Sequence, residues 1–253
     1  MELLKKYGIN RLSIGVQSFN NEKLKYLGRT HAKEQALDKI KLSKKYFDNI
    51  NVDLIYAIPN ETIEELSEDL ETIIDLDINH VSAYSLIIEE RTILNNKKAQ
   101  PISEELDYEM YKLICSKMPN HYEISNFGKP SMHNLVYWNN EEYYGFGVGA
   151  SGYVRGIRYD NTKSLKSYEE GKYRRFEEKL TEEERMKNEF MLGLRKTEGI
   201  DVLGFKKKYN REITSVNNIQ KLIASKRLIL EDNRLYINPE FLYTSNDILV
   251  ELI

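Results

Sequence analysis

Three residues in or near apolar runs have side chains suited to binding chemistry. Gln17 closes the run RLSIGVQ, Arg29 follows twelve positions later beside Gly28, and Asp53 sits inside INVDLIYAIP. In α/β proteins ligands gather at the C-terminal ends of parallel strands. An amide there can bond a hydroxyl. A carboxylate within an apolar strand is costly unless it accepts hydrogen bonds or meets a cation. Asp53 therefore reads as an acceptor for ligand hydroxyls; a solvated strand edge or a core lysine would also satisfy it. The planar fork of Arg29 suits a carboxylate or a phosphate. Ser18 follows Gln17, and the run HVSAYSLII adds Tyr84 and Ser85 at a third strand end. Together these residues describe a cleft for a ligand with hydroxyls and an anionic group.

The other reactive types are few. The one cysteine, Cys115, lies in YEMYKLICSKM on the apolar face of an expected helix and reads as a small buried hydrophobe. A single thiol makes neither an intrachain disulfide nor a Cys-only metal site. Of the four histidines, His80 starts a strand and reads as structural, His31 can line the pocket behind Arg29, and His121 packs at the head of HYEISNF. His133 differs, because in HNLVYW it lies near two large aromatics, Tyr137 and Trp138.

The elements that must position these residues alternate. RLSIGVQS reads as a strand, NNEKLKYL as a short helix, and AKEQALDKIKLSKKYF as a longer helix with Ala36, Leu37, Ile40 and Leu42 on its apolar side. INVDLIYAIP is the next strand, stopped by Pro59. Thr62 and Glu65 form a capping box that opens a helix with Ile63, Leu66, Leu70, Ile73 and Ile74 on one face. HVSAYSLII is a third strand. Strand–helix–strand repetition predicts an α/β fold with parallel pairing and right-handed crossovers. Past residue 90 come a helix capped by Ser103, a strand at HYEISNF, a Gly-rich turn at YGFGVGASGYV and a short strand at GIRYDN. From about residue 176 the chain reads as mostly helical, ending in the helix, strand, EDNR turn, strand and helix of a winged-helix-like module. The expected segments are 1–90, 91–175 and 176–253.

With 253 residues, 41% apolar and 11% aromatic, the chain can bury a substantial core. A net charge of −3 with both signs interspersed argues against a dedicated nucleic-acid binder and against an electrostatic membrane anchor. No apolar run approaches a membrane span, and MELLKKYGIN lacks the apolar stretch of a signal peptide. The expectation is a soluble, cytoplasmic protein.

The runs NRLSIGVQSFNNEKLKYLGRTH, VDLIYAIPNET, HVSAYSLIIEE, HYEISNF and HNLVYW, in this order and spacing, resemble the HemW-type heme chaperones. These are radical S-adenosylmethionine proteins related to the oxygen-independent coproporphyrinogen III oxidase. The resemblance implies the C-terminal half of a partial (β/α)6 radical-SAM barrel, then an α+β region carrying HNLVYW, then a mostly helical, winged-helix-like C-terminal domain. It implies S-adenosylmethionine and heme as ligands, and delivery of heme to hemoproteins, respiratory enzymes among them. The charge balance and the lack of a long apolar run predict no nucleic-acid partner and no integral membrane segment, and they allow peripheral membrane contact. By position, Gln17 matches the glutamine that reaches the S-adenosylmethionine ribose. Arg29 matches the arginine on the methionine carboxylate, and Asp53 the acid that accepts from the ribose hydroxyls. His133 becomes the candidate axial ligand of heme iron, with flat rings nearby to suit a porphyrin face. The alternatives are an oxygen-independent coproporphyrinogen III oxidase-like enzyme of porphyrin biosynthesis and a non-catalytic α/β binding module; HNLVYW favours the chaperone branch.

Two departures from the family stand out. Its [4Fe–4S] cluster is held by a Cys-x-x-x-Cys-x-x-Cys motif that is absent here, and Cys115 cannot replace three thiolates. The expectation is that the chain corresponds to the C-terminal two-thirds of a longer protein, or begins at an internal methionine. On that expectation the cluster belongs to the parent alone, and this chain has no catalytic residue and no metal ligand for it. Radical cleavage of S-adenosylmethionine needs an electron from such a cluster, so the chain is expected to be inactive alone. In GFGVGASGYV the family usually carries proline where this chain has Val148, and His-Ser where it has Ser151 and Gly152.

Overall fold

Two-residue alternation in the strands gives the first part of the chain a sheet with one apolar and one polar face. The computed structural model describes residues 1–96 and 98–252. They group into two units, one of residues 1–130 and one from residue 131 onward. The first unit runs α1 (Glu2–Lys6), β1 (Leu12–Gln17), α2 (Asn21–Tyr26), α3 (Lys33–Lys44), β2 (Ile50–Tyr56) and α4 (Ile63–Asp75). It continues with β3 (His80–Ser85), α5 (Ile93–Asn96), α6 (Glu104–Lys117), β4 (His121–Glu123) and β5 (Asn126–Gly128). The sheet order is β1-β2-β3-β5-β4. As expected, β1, β2 and β3 pair in parallel.

On the apolar face Val16, Val52, Leu54, Val81 and Ala83 pack under Ala36 and Ile40 of α3, Leu66, Leu70 and Ile73 of α4, and Met110 and Ile114 of α6. The helices start where the caps require. Thr62 Oγ1 accepts from the Glu65 N–H at 3.2 Å while Glu65 Oε2 accepts from the Thr62 N–H at 3.1 Å. Ser103 Oγ likewise accepts from the Leu106 N–H, 3.3 Å away. HYEISNF is not one strand but a hairpin, with β4 and β5 folding about Ile124 and Ser125 and β5 antiparallel to β3. Pleated alternation reads the same on both sides of so short a turn, so the run looks continuous in sequence.

The second unit contains α7 (Met132–Trp138), β6 (Ser151–Val154), β7 (Ile157–Asn161), α8 (Leu165–Glu169), β8 (Arg174–Lys179) and α9 (Glu182–Gly193). It ends with β9 (Ile200–Asp201), α10 (Val202–Tyr209), α11 (Ile219–Ala224), β10 (Leu228–Glu231), β11 (Arg234–Ile237) and α12 (Ser245–Val250). Two antiparallel sheets result, ordered β6-β7-β8 and β10-β11-β9. The winged-helix-like order is present from α11 to α12. Its hairpin turns on Asp232 and Asn233, both at positive φ (48° and 63°), as a two-residue turn between right-twisted strands demands. β8 occupies RRFEEK, at the start of the stretch expected to be helical. Every one of its residues is exposed, so no buried face wrote a period into the sequence.

β1 is a free edge of its sheet. An open cavity of about 470 Å³ runs along it, lined by Ile14, Val16, His31 and Ala36. Leu3, Tyr7 and Ile9 are exposed as well. An unpaired apolar edge templates further pairing. The isolated chain should therefore self-associate and bind a hydrophobic dye, and Ile14→Lys should reduce both. A dye-free monomer with a sharp, reversible melt would contradict this.

Candidate functional site

The polar face of the sheet is built by register. Ser13 lies opposite Asn51, Gly15 opposite Asp53, Asn51 opposite His80 and Asp53 opposite Ser82. Asn51 is the hub. Its Nδ2 donates to Asp53 Oδ1 at 2.6 Å and to Ser13 Oγ at 2.7 Å. Its Oδ1 accepts from Ser82 Oγ at 3.2 Å and from His80 Nδ1. Because that oxygen can only accept, His80 carries its proton on Nδ1, and its Nε2 accepts from the Tyr122 hydroxyl at 2.7 Å. His80 is 1% exposed, and burial, with the Arg11 charge assisting, holds its pKa down to about 4. It is structural, as its place at a strand start suggested.

Gln17 and Asp53 meet over Gly15. The place where a Gly15 Cβ would stand is 2.7 Å from Gln17 Nε2 and 4.0 Å from Asp53 Oδ2, so the absence of a side chain there lets the amide approach. Gln17 is buried and takes φ 73°, an uncommon backbone state for this residue type, at a bulge in the β1–β2 pairing. Asp53 is half-buried, and among the described residues no lysine lies against it. Besides Asn51, its carboxylate there has only long contacts of 3.4 Å with Ser13 Oγ, which leaves acceptor capacity for a ligand.

What fixes the loops beyond these strands is a buried ion cluster. Lys23 Nζ of α2 lies 2.7 Å from Glu61 Oε1 and 2.8 Å from Asp69 Oδ2, and all three residues are nearly sealed from water. Asp69 also accepts from Ser18 Oγ and the Phe19 N–H, each at 2.7 Å, and Glu61 Oε2 from the Ile58 N–H at 3.0 Å. Burial pulls the lysine down, but the two carboxylates outweigh it and its pKa rises above the ordinary value; burial also pushes Glu61 up against the pull of Lys23. Removing the ammonium would leave two buried carboxylates uncompensated, at a cost of about 3–5 kcal/mol.

The remaining strand-end residues divide. Arg29 follows a helix stop in which Gly28 takes φ 70° and the Arg29 N–H bonds the Leu24 carbonyl at 2.9 Å. Its side chain is exposed beyond the end of α2 and makes no hydrogen bond or ion pair among the described residues. Tyr84 belongs to the polar face, near Ser82 and Asp53, and burial raises its pKa. Ser18 and Ser85 leave the cleft: both bond helix acids at 2.7 Å, Ser18 to Asp69 and Ser85 to Asp107.

In the second unit α7 presents His133 at the surface. Its Nε2 is 3.0 Å from the Tyr137 hydroxyl one turn on, and the rings meet edge to face. Tyr137 in turn packs on Tyr143, centroids 4.6 Å apart. The other histidines have inward partners: His31 Nε2 the Val16 carbonyl, His80 both nitrogens, and His121 the Cys115 sulfur at 3.8 Å and the Ile124 carbonyl at 3.3 Å. Cys115 is half-buried, and burial raises its pKa, so it is a thiol. Among the described residues no three His, Cys, Asp or Glu side chains gather for a metal, and the residues present do not fit an iron–sulfur cluster.

Sequence reasoning missed Lys23, Glu61, Asp69 and the hub Asn51. Asp69 carried a signal, an acid three after Leu66 and four before Ile73 on the buried stripe of α4. So did Asn51, two before Asp53 and therefore on the same face of the strand.

Residues 1–73 match the Radical SAM superfamily and residues 180–240 the HemN C-terminal domain. The chain is 41% identical over 250 residues to the heme chaperone HemW of Lactococcus lactis, over 90% of this chain and 66% of that protein. To the heme chaperone HemW of Bacillus subtilis it is 38% identical over 247 residues, 90% of this chain and 65% of that one. It thus spans just under two thirds of the length of these relatives. Its fold is that of the radical SAM coproporphyrinogen III oxidase HemN from Escherichia coli, with a TM-score of 0.80 at 17% identity over 99% of this chain and 65% of that one.

The low pKa of His80 has a measurable consequence. Unfolded, the imidazole takes up a proton near pH 6.5; folded, it does so only near pH 4. The stability this burial requires is complete above pH 6.5 and is lost as pH falls toward 4, up to about 3 kcal/mol. Denaturant unfolding across that window should give a steeper loss in wild type than in His80→Gln. Equal slopes would contradict the neutral, buried assignment.

Proposed function

This chain belongs to the HemW-type group of radical S-adenosylmethionine proteins, and on that premise we propose that it handles heme in the cytoplasm, binding heme and S-adenosylmethionine and passing heme to hemoproteins. One observation carries the heme part. Of the four histidines, His133 alone stands exposed on a helix, beside a tyrosine one turn away and with Nδ1 unbonded. An accessible imidazole nitrogen is what a ligand position on heme iron requires. The Tyr137 hydroxyl on Nε2 would fix the ring's orientation and leave Nδ1 for the metal.

The S-adenosylmethionine part is supported by the pair over Gly15. Asp53, with acceptor capacity left, and Gln17, with an amide beside it, suit the two hydroxyls of a ribose. The unpaired guanidinium of Arg29 suits a carboxylate. When bound, S-adenosylmethionine would supply a sulfonium that activates its neighbouring carbons. These residues contribute binding and orientation only: hydroxyl acceptance at Asp53, a second hydroxyl contact at Gln17, and anion capture at Arg29. The oxidase alternative rests on shared fold, and fold alone does not fix function.

Asp53→Ala should raise the Kd for S-adenosylmethionine about tenfold to a hundredfold, the value of a charge-assisted hydrogen bond. Arg29→Ala should do comparable harm through the carboxylate. Calorimetric titration returning wild-type affinity for both variants would refute this pocket. For heme, the Soret band of the loaded protein should shift or weaken in His133→Ala and stay as in wild type in His31→Ala. An identical spectrum and affinity in the His133 variant would remove it as the ligand.

A further inference from the structure

The segment between α7 and β6 holds two large rings out into solvent. Tyr144 and Phe146 are 67% and 83% exposed, and their rings lie 6.0 Å apart with planes inclined by 28°. Neighbouring exposed rings of this size mark a surface that something covers. The loop that carries them is pinned. The Gly145 N–H donates to the Tyr159 hydroxyl at 2.9 Å and the Gly147 N–H to the Tyr168 hydroxyl at 3.0 Å. Buried Asn161 donates through Nδ2 to the carbonyls of Gly145 and Gly147, at 3.1 and 2.9 Å. Gly152 makes room for this, since a Cβ there would fall 2.2 Å from the Tyr159 ring. A side chain at 152 would displace the Tyr159 ring that holds the loop. A pinned loop presents its rings with little ordering cost on binding.

The rings border a hollow of about 350 Å³ whose other walls include Tyr168, Tyr173 and Arg174. The Arg174 guanidinium lies over the Tyr159 ring, 3.4 Å from its centroid, and bonds Asn161 Oδ1. Among the described residues its one acidic contact is Glu177 at 4.0 Å, so donors remain for an incoming anion. A hollow with flat aromatic walls and a guanidinium at one side suits a planar apolar ring system that carries carboxylates. We propose that it seats the macrocycle of a tetrapyrrole, with Tyr144 and Phe146 against the ring face and Arg174 toward a propionate. This rests on the heme reading above and adds a ring seat distinct from the iron ligand.

Metal-free protoporphyrin IX isolates this seat, because it has no iron to be ligated. Titrated into the full chain and followed by fluorescence, it should bind wild type, and the Tyr144→Ala/Phe146→Ala double variant at least about tenfold more weakly. His133→Ala should stay within about twofold of wild type, since only iron needs the imidazole. Wild type should prefer the free acid to the dimethyl ester, and Arg174→Gln should lose that preference. Both rings are exposed, so the melting temperature of the double variant should not move. Wild-type affinity in the double variant overturns the seat and leaves heme binding standing, as does hemin binding without any protoporphyrin IX binding. Failure of both compounds to bind wild type overturns heme binding and the seat together. If the double variant keeps its porphyrin affinity but no longer floats with phosphatidylglycerol vesicles, the rings face a membrane and the seat is overturned.

Discussion

A lysine ammonium held out of water between two carboxylates anchors the candidate S-adenosylmethionine site. Lys23 sits on a helix of only six residues, too short to hold its place by propensity. Glu61 precedes α4 and Asp69 lies within it, so the cluster joins the loop after β1 to the loop and helix after β2. Asp69 also fixes Ser18 and Phe19, the residues directly after Gln17. The amide proposed to meet a ligand is therefore held by charge pairing one residue away, not by its own contacts. Buried ion clusters are weak stabilisers but strict ones, because each member is costly without the others.

The same economy appears on the sheet. Its apolar face is committed to three helices, so the opposite face is free to be polar, and register aligns its polar residues into one network. Asn51 uses both ends of its amide within that network and so orients Asp53 while leaving part of the carboxylate unbonded. Backbone strain collects at the strand ends, with Gln17 at φ 73° and Ala57 at φ 61° directly after β2. Such positions persist where the surroundings over-determine them, and the ion cluster and its hydrogen bonds to Ser18, Phe19 and Ile58 supply that here. In the second unit a neutral network does the same work, with Tyr159, Tyr168 and Asn161 immobilising a glycine-rich loop.

Much of this was legible in the sequence where one residue's environment is set by its near neighbours. The Thr62–Glu65 box fixed the start of α4, Leu66, Leu70 and Ile73 marked its buried face while Ile74, expected on it too, stands exposed, and INVDLIY announced a strand with an acid on its polar side. Gln17 at the end of its strand and Asp53 in the middle of the next could be placed on neighbouring strands because parallel strands share a direction. Three features were hidden, each for a physical reason. The partners of Lys23 lie 38 and 46 residues away, and no local pattern encodes such a meeting. β8 is exposed throughout and so bears no period. The hairpin at HYEISNF turns on two residues that look like strand. The pinning of the 145–149 loop was equally invisible, because a tyrosine hydroxyl bonded to a glycine N–H fourteen residues earlier leaves no motif.

On the proposed reading this polypeptide itself binds heme at one defined place. Titration of hemin into the purified wild-type chain, followed by difference absorbance, decides it. Binding at one place predicts a red-shifted Soret band that grows to a sharp end point at one heme per chain. A non-saturating rise with the spectrum of free or aggregated hemin would contradict it.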